Sequence, residues 1–249
     1  MKLSKISRLK NVIKLLIKTD KYILLKLIFL FHDYLLYLIF GNSENIHIFR
    51  ISETLNTKLL NWHQSQSKSI KPKERKIKGL LLNNKKKGIE GKNMEKYVID
   101  FINMPKKLQK ELHSEIRIKI AKAVKSPFAF INTRSWKTLP NNINNFGATS
   151  FHRDGFWPGH LKVMIYLGPM DEDFGYFEIE NNLIKNKPPG TAILFQNSDL
   201  RHRGVSGKKK ERLSIEITIF RTFLNLEQNN DSHFRGRHYT NIFKPYFNQ

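Results

Sequence analysis

From residue 127 onward, apolar residues occur in short runs separated by turn-forming residues. These runs predict six strands, at 128–133, 148–152, 161–167, 176–179, 191–195 and 213–220. The segments between them are rich in Asn, Asp, Gly and Pro, which is typical of tight turns. Short strands with no long helix between them predict a sandwich or barrel-like β-fold.

The first half of the chain has the pattern of helices instead. Residues 1–40 are strongly apolar with interspersed lysines, and neither Pro nor Gly interrupts them before Gly41, so one or two helices are predicted there. Between Pro105 and Lys125, apolar residues recur every four positions, which predicts an amphipathic helix with an outer face rich in Lys. Residues 65–93 combine Lys, Gly and polar residues and are typical of an exposed linker.

These sequence patterns divide the chain into four parts. We expect an apolar and basic helical region at 1–64, a Lys-rich linker at 65–93, a β-domain with a leading helix at 94–225, and a tail at 226–249. No small-residue cleavage site of the signal-peptide type follows the apolar N-terminal stretch, so a cytoplasmic location is expected.

Residues 1–40 allow two interpretations. Lys26, His32 and Asp33 would be costly at the centre of a bilayer. The segment can be a peripheral membrane anchor, with lysines on anionic headgroups and aromatic residues at the interface. It can equally be a pair of helices packed on the folded core, as apolar helices commonly are.

The composition is strongly basic and lacks cysteine. The formal net charge is +23, and residues 1–93 hold 20 basic and six acidic residues, so most of the excess precedes the predicted β-domain. Such a charge attracts nucleic acid or anionic membranes. No aromatic residue is interleaved with the basic run of the linker, so binding of nucleic acid through it is not favoured. The absence of Cys excludes disulfides, thiolate metal sites and Cys nucleophiles.

The last predicted strand has two chemically distinct faces. Leu213, Ile215, Ile217 and Ile219 alternate with Arg212, Ser214, Glu216 and Thr218, and period-two alternation places the polar set on one side. A polar face of this kind ordinarily contacts water. A face that begins with Arg and Ser can instead line a wet cavity that holds a carboxylate, because Arg binds a carboxylate through two hydrogen bonds.

Three residues upstream of this strand have the pattern of a metal site. His152 and Asp154 are two positions apart at the end of a predicted strand, so both side chains emerge on one face, and His202 lies ten positions before Arg212. Two imidazoles and one carboxylate form the facial triad that holds Fe(II) and leaves positions open for a cosubstrate and oxygen. His113 and Glu115 have the same spacing, but on the predicted helix their side chains diverge, so a surface location is expected.

The combination of motifs resembles a known family over about residues 128–222. The matching phrases are Phe151-His152-Arg153-Asp154-Gly155, Gly190-Thr191-Ala192 with Phe195, Leu200-Arg201-His202-Arg203-Gly204, and Arg212-Leu213-Ser214. Together they resemble the Fe(II)/2-oxoglutarate-dependent dioxygenases, and within them the phytanoyl-CoA dioxygenase-like group. Prolyl-hydroxylase-like members usually carry Lys at the position of Arg212.

The resemblance implies a mainly β fold with flanking helices, built on a double-stranded β-helix of the jelly-roll or cupin type. It implies iron ligands at His152, Asp154 and His202, with Arg212 on the distal carboxylate of 2-oxoglutarate and Ser214 as a supporting donor. The implied reaction uses Fe(II), 2-oxoglutarate and O2, hydroxylates a C–H bond of a small-molecule, lipid or sugar-linked substrate, and releases succinate and CO2.

Five residues are candidates for contact with that substrate: Arg134, Trp136, Trp157, Lys162 and Tyr166. For the aromatic residues the alternative is packing in the core, and for Lys162 and Tyr166 it is a solvated strand edge. His160 is a candidate for indirect support of the metal ligands. The alternative function for the whole chain is a basic nucleic-acid- or membrane-binding protein with a non-catalytic β-barrel.

Overall fold

Two antiparallel β-sheets form the centre of the protein. The computed structural model describes residues 23–41, 43–67, 98–101, 104–140, 150–154, 160–180, 182–197 and 199–223. Within these residues the helices are α1 (Ile23–Phe40), α2 (Glu53–Ser67) and α3 (Lys106–Val124). The strands are β1 (Ile46–Arg50), β2 (Val98–Phe101), β3 (Phe128–Thr138), β4 (His160–Tyr166), β5 (Gly175–Ile179), β6 (Asn182–Ile184), β7 (Thr191–Phe195), β8 (His202–Ser206) and β9 (Arg212–Arg221). Most of the predicted linker and the whole predicted tail lie outside the described residues.

The order of the strands confirms the predicted fold class. The larger sheet has the order β1-β7-β4-β9-β3-β2, and the smaller has the order β6-β5-β8. From β4 onward the chain passes to β5 and β6 in the small sheet, returns to β7, crosses to β8 and returns to β9. This winding between two antiparallel sheets is a double-stranded β-helix, or jelly roll.

Strand β9 separates two environments, as its alternation predicts. Ile215, Ile217 and Ile219 are completely buried in a cluster with apolar residues of α2 and α3, which cover the outer face of the large sheet. Ser214 and Glu216 face the other way and are buried as well. A second apolar cluster, with Tyr166 and Phe195 from the large sheet and Phe177 from the small one, fills the space between the sheets.

The first part of the chain differs from the expected helical region. Residues 46–50 form an edge strand of the large sheet, in which Ile46 pairs with Phe195. Leu55 and Leu59 of α2 lie in the same buried cluster as Ile217. Residues 43–67 are therefore part of the β-fold itself, because the sheet buries its outer face against α2.

The predicted strand at 148–152 is not a regular strand where the structure describes it. His152 forms only an isolated bridge with His202, and residues 148 and 149 lie outside the described residues. In contrast, β3 extends five residues further than expected, to Thr138, because it pairs with β9 along its whole length.

The surface location predicted for His113 is wrong, because its side chain is buried, whereas Glu115 is partly exposed. The His113 ring stacks on Phe130 at 4.0 Å between centroids, and its Nε2 lies 2.7 Å from Thr133 Oγ1. Glu115 accepts hydrogen bonds from the backbone N–H and hydroxyl of Ser52, at 2.5 and 2.7 Å. Because α3 lies between the sheet and the start of α2, two helix faces meet protein.

Acid should destabilise the fold through its buried histidines. Burial lowers the pKa of His63 to about 3 and that of His113 to about 4, from 6.5 in the unfolded chain. Below about pH 6.5 the unfolded state therefore binds more protons, and stability falls as the pH drops towards 4. The change His113→Asn should reduce the loss of unfolding free energy between pH 7 and pH 5 by about 1–2 kcal/mol, measured by urea denaturation. The same pH dependence in variant and parent would contradict this assignment.

Candidate metal centre

Backbone hydrogen bonds bring the three predicted metal ligands together. The N–H of His152 donates to the carbonyl of His202 at 3.0 Å, and the N–H of His202 donates back at 2.9 Å. The N–H of Asp154 donates to the carbonyl of Asn197 at 3.0 Å. The segment that carries His152 and Asp154 is thereby attached to the turn after β7 and to the start of β8.

The side chains converge as a facial triad requires. Nε2 of His152 lies 3.4 Å from Oδ1 of Asp154, and Nε2 of His202 lies 3.6 Å from Oδ2. One donor atom from each residue lies within 4.8 Å of the others. His202 is buried, whereas His152 and Asp154 are partly exposed. The group is therefore accessible from one side.

Backbone carbonyls orient both imidazole rings. Nδ1 of His152 lies 2.8 Å from the carbonyl of Ser150, and Nδ1 of His202 lies 3.0 Å from the carbonyl of Leu200. A carbonyl accepts only, so each Nδ1 carries the proton and each Nε2 presents its lone pair towards Asp154. Metal-binding histidines typically have this arrangement. The donor set and its orientation therefore fit a divalent transition metal ion.

Asn197 supports the triad and was not identified from the sequence. Its side chain is completely buried, and Nδ2 lies 3.3 Å from Oδ2 of Asp154 and 3.4 Å from Nδ1 of His160. His160 thus lies next to the triad, as expected for indirect support. A lone Asn after a strand has no sequence signature, so only the three-dimensional structure reveals this contact.

A row of alternating charges leads away from Asp154 into the space between the sheets. Nζ of Lys162 contacts Oδ2 of Asp154 and lies 3.0 Å from Oε2 of Glu216. Oε1 of Glu216 in turn lies 2.8 Å from the guanidinium of Arg134, which stacks over Trp136 at 4.7 Å. We call Asp154, Lys162, Glu216 and Arg134 the charge row.

The electrostatics of the charge row keep its members ionised. Burial alone would raise the pKa of Asp154, but the neighbouring ammonium of Lys162 holds this pKa well below its usual range. Burial would likewise raise the pKa of Glu216, and Arg134 and Lys162 lower it. Burial would lower the pKa of Lys162, but Glu216 and Asp154 raise it. Each buried charge is therefore compensated by its neighbours.

Arg212 has a different environment. Its guanidinium is buried, donates to the carbonyl of Val205 at 2.7 Å, and lies 3.3 Å from the hydroxyl of Thr138. No carboxylate among the described residues pairs with it. Burial lowers the pKa of Arg212, yet an arginine stays charged in proteins. A buried cation without an anionic partner is costly, and this favours an anionic ligand.

Unsatisfied polar atoms surround this guanidinium. Buried atoms without a hydrogen-bond partner include Arg212 Nε and the hydroxyls of Tyr166, Ser206 and Ser214. Tyr166 pairs with Ser214 across β4 and β9, and its ring lies 5.9 Å from the Arg212 guanidinium. Each such atom costs about 1–3 kcal/mol when left without a partner. We call these four residues the anion pocket.

Gly204 makes room for the anion pocket. A Cβ at this position would lie 2.8 Å from Nη1 and 2.9 Å from Nη2 of Arg212. Any larger residue would therefore displace the guanidinium. Phe177 is near both the pocket and the metal triad, with its ring centroid 6.3 Å from that of Tyr166 and 5.8 Å from that of His202.

The structure distributes the predicted substrate residues between these two regions. Arg134, Trp136 and Lys162 belong to the charge row or contact it, and Tyr166 belongs to the anion pocket. Lys162 and Tyr166 are buried, so the alternative of a solvated edge is wrong for both. Trp157 lies outside the described residues.

No protein-family model matches the chain, and no curated protein does. Among solved structures, the chain is similar to the viral collagen prolyl hydroxylase from Paramecium Bursaria Chlorella virus-1, with 13% identity over 72% of this chain and 97% of that one, at a TM-score of 0.43. The chain is also similar to HygX from Streptomyces hygroscopicus with nickel and 2-oxoglutarate bound, with 10% identity. That match covers 76% of this chain and 87% of HygX, at a TM-score of 0.46.

The epimerase SnoN from nogalamycin biosynthesis, described as non-heme and alpha-ketoglutarate-dependent, has 9% identity. The match covers 81% of this chain and 85% of SnoN, with a TM-score of 0.49. Likeness at this level does not assign a function, so the function must be inferred from the side chains of the site.

The charge row predicts that two Glu→Gln changes lower the free energy of unfolding by different amounts. Glu216→Gln removes a buried charge that compensates both Lys162 and Arg134, and should lower the unfolding free energy by about 2–3 kcal/mol. The carboxylate of Glu211 is half exposed and pairs with Lys137 at 2.8 Å. Glu211→Gln should therefore lower the unfolding free energy by less than about 1 kcal/mol. Urea denaturation of the two variants measures the difference. Equal effects would show that the charge row is not electrostatically coupled.

Proposed function

We propose that the protein is an Fe(II)- and 2-oxoglutarate-dependent dioxygenase that hydroxylates a C–H bond of an organic substrate. One observation carries this proposal: a facial triad lies beside a buried, unpaired arginine whose surroundings contain unsatisfied hydrogen-bonding atoms. Such a pair of adjacent sites suits a ligand that binds a metal at one end and places a carboxylate on the arginine at the other. 2-Oxoglutarate has this chemistry.

In this assignment, His152, Asp154 and His202 hold the iron. Three protein ligands on one face leave the remaining positions open for cosubstrate and oxygen. When bound, Fe(II) with 2-oxoglutarate and O2 supplies the oxidising chemistry, with succinate and CO2 as coproducts. The chain contributes the fixed orientation of the ligands: the two Nδ1–H groups hold the imidazoles, and Asn197 holds the Asp154 carboxylate.

The anion pocket receives the distal carboxylate of 2-oxoglutarate. Arg212 neutralises the charge, and Ser214 and Tyr166 are positioned as further donors. Burial raises the pKa of Tyr166 to about 12, so its hydroxyl keeps its proton and can donate. Ser206, two positions after Gly204 on the same strand face, completes the set.

An apolar wall between the sheets shields the inner side of the metal triad from water. Phe195 is completely buried, with its ring 4.7 Å from His202, and Phe177 packs on Phe195 at 5.2 Å and lies 5.8 Å from His202. A dry pocket strengthens the electrostatic contacts of the bound cosubstrate and limits side reactions.

Within the superfamily, we place the chain in the phytanoyl-CoA dioxygenase-like group. The phrases around His152, Gly190 and His202, together with Arg rather than Lys at 212, support this placement. The substrate is then a small molecule, a lipid or a sugar-linked compound. The candidates for contact with this substrate remain Arg134, Trp136, Lys162 and Trp157. Arg134 and Lys162 belong to the charge row that begins at Asp154, and Trp136 stacks against Arg134.

Loss of the arginine should weaken cosubstrate binding selectively. Arg212→Ala should weaken 2-oxoglutarate binding to the Mn(II)-loaded protein by about 100-fold, because two charge-assisted hydrogen bonds disappear. The affinity for Mn(II) itself should change little, since Arg212 contacts no ligand of the triad. Isothermal titration calorimetry measures both constants.

Two variants on strand β8 provide the controls. Arg203→Ala removes a guanidinium that pairs with Glu178 at 2.5 Å on the opposite strand face, and should leave 2-oxoglutarate binding unchanged. Gly204→Ala should weaken it, because the added methyl displaces Arg212. Equal 2-oxoglutarate affinity in Arg212→Ala and Arg203→Ala would refute the assignment of the anion pocket.

A further inference from the structure

One side of helix α1 is fixed to the folded core. Leu36 is fully buried, and the carboxylate of Asp33 lies 3.9 Å from the guanidinium of Arg221 at the end of β9. The same guanidinium donates to the carbonyl of Gly41 at 3.1 Å, directly after the helix. The inward face of α1 is therefore held by both apolar packing and a buried charge.

The opposite side of α1 is apolar and exposed. Phe31 and Ile39 are 64% and 63% exposed, and the spacing of their neighbours by three or four residues keeps all of them on one side of the helix. The residues of this apolar face are Ile28, Phe31, Tyr34, Leu35, Leu38 and Ile39. Phe223, which is half exposed and packs on Phe40 at 5.8 Å, extends it. Contiguous exposed apolar residues mark an interaction surface rather than ordinary protein surface.

The charge of the adjoining sequence indicates what this surface meets. The 22 residues directly before α1 contain seven basic residues and one acidic residue. A second copy of this chain would bring an equally basic segment to the same contact, and the two would repel each other. An anionic lipid surface instead offers apolar chains to the exposed residues and negative headgroups to the lysines.

We propose that the apolar face of α1 docks on an anionic membrane surface. The helix then lies along the interface, with its buried side on the protein and with Phe31 and Tyr34 at headgroup depth. Among the described residues, no helix is both long and apolar enough to cross a membrane. This docking does not depend on the metal centre, so either proposal can fail without the other.

Vesicle sedimentation with the full chain tests the docking. The parent protein should sediment with vesicles of phosphatidylcholine and phosphatidylserine, should bind pure phosphatidylcholine much less, and should be released by added salt. The double change Phe31→Gln and Leu38→Gln should lower the partition coefficient by about tenfold or more. Both residues are exposed, so the fold should be unaffected.

A matched variant separates this surface from general apolar exposure. Ile118 on α3 and Leu183 on β6 are 69% and 59% exposed, and their double change to Gln should leave partitioning unchanged. Parent protein that stays in the supernatant with anionic vesicles would overturn the proposal, as would an equal loss in both double variants. So would a dimer in analytical ultracentrifugation that only the α1 variant dissociates, because the face would then bind a second copy.

Discussion

The pairing of strand β9 with β3 and β4 is the constraint on which the remaining structure depends. Strand β9 runs through the middle of the large sheet, where Glu216 pairs with Arg134 of β3 on one side and with Met164 of β4 on the other. Because successive side chains point to opposite faces, this register buries Ile215 and Ile217 under the helices. A shift by one residue would place those isoleucines in the site and its charges in the apolar core.

The cations of the site differ in how their charge is compensated, and this difference indicates their roles. Lys162 and Arg134 are compensated by Asp154 and Glu216, so the charge row is electrically satisfied without any ligand. Within the described part of the chain, Arg212 has only neutral partners and lies among unsatisfied hydroxyls. A protein tolerates this cost where binding of an anion recovers it. This asymmetry is the basis for our proposal that Arg212 binds the cosubstrate, whereas the charge row is a structural ion network.

The local pattern of residues was sufficient for the fold class and for the residues that converge at the metal centre. Period-two alternation identified the polar face of β9, and the spacing of His152, Asp154 and His202 identified the candidate ligands. Contacts between distant segments could not be predicted in this way. Strand β1 exists because it pairs with β7, and Asn197 meets Asp154 only after β7 and the loop before β4 come together.

His113 illustrates the same limit. Its pattern on an amphipathic helix is that of a surface residue, and it is buried only because the sheet and α2 lie on two sides of α3. The excess of positive charge also acquires a different meaning. Residues 1–93 hold +14 of the +23, and residues 43–67, which join the β-fold, contribute none of it, so most of the excess does not describe the chemistry between the sheets.

The most direct test of the central claim is an anaerobic titration of the purified protein with Fe(II) and then 2-oxoglutarate, followed by visible absorption. If the triad holds iron beside the anion pocket, a weak charge-transfer band should appear only when both are present, and His202→Ala should abolish it. Absence of the band in correctly folded parent protein would contradict the account.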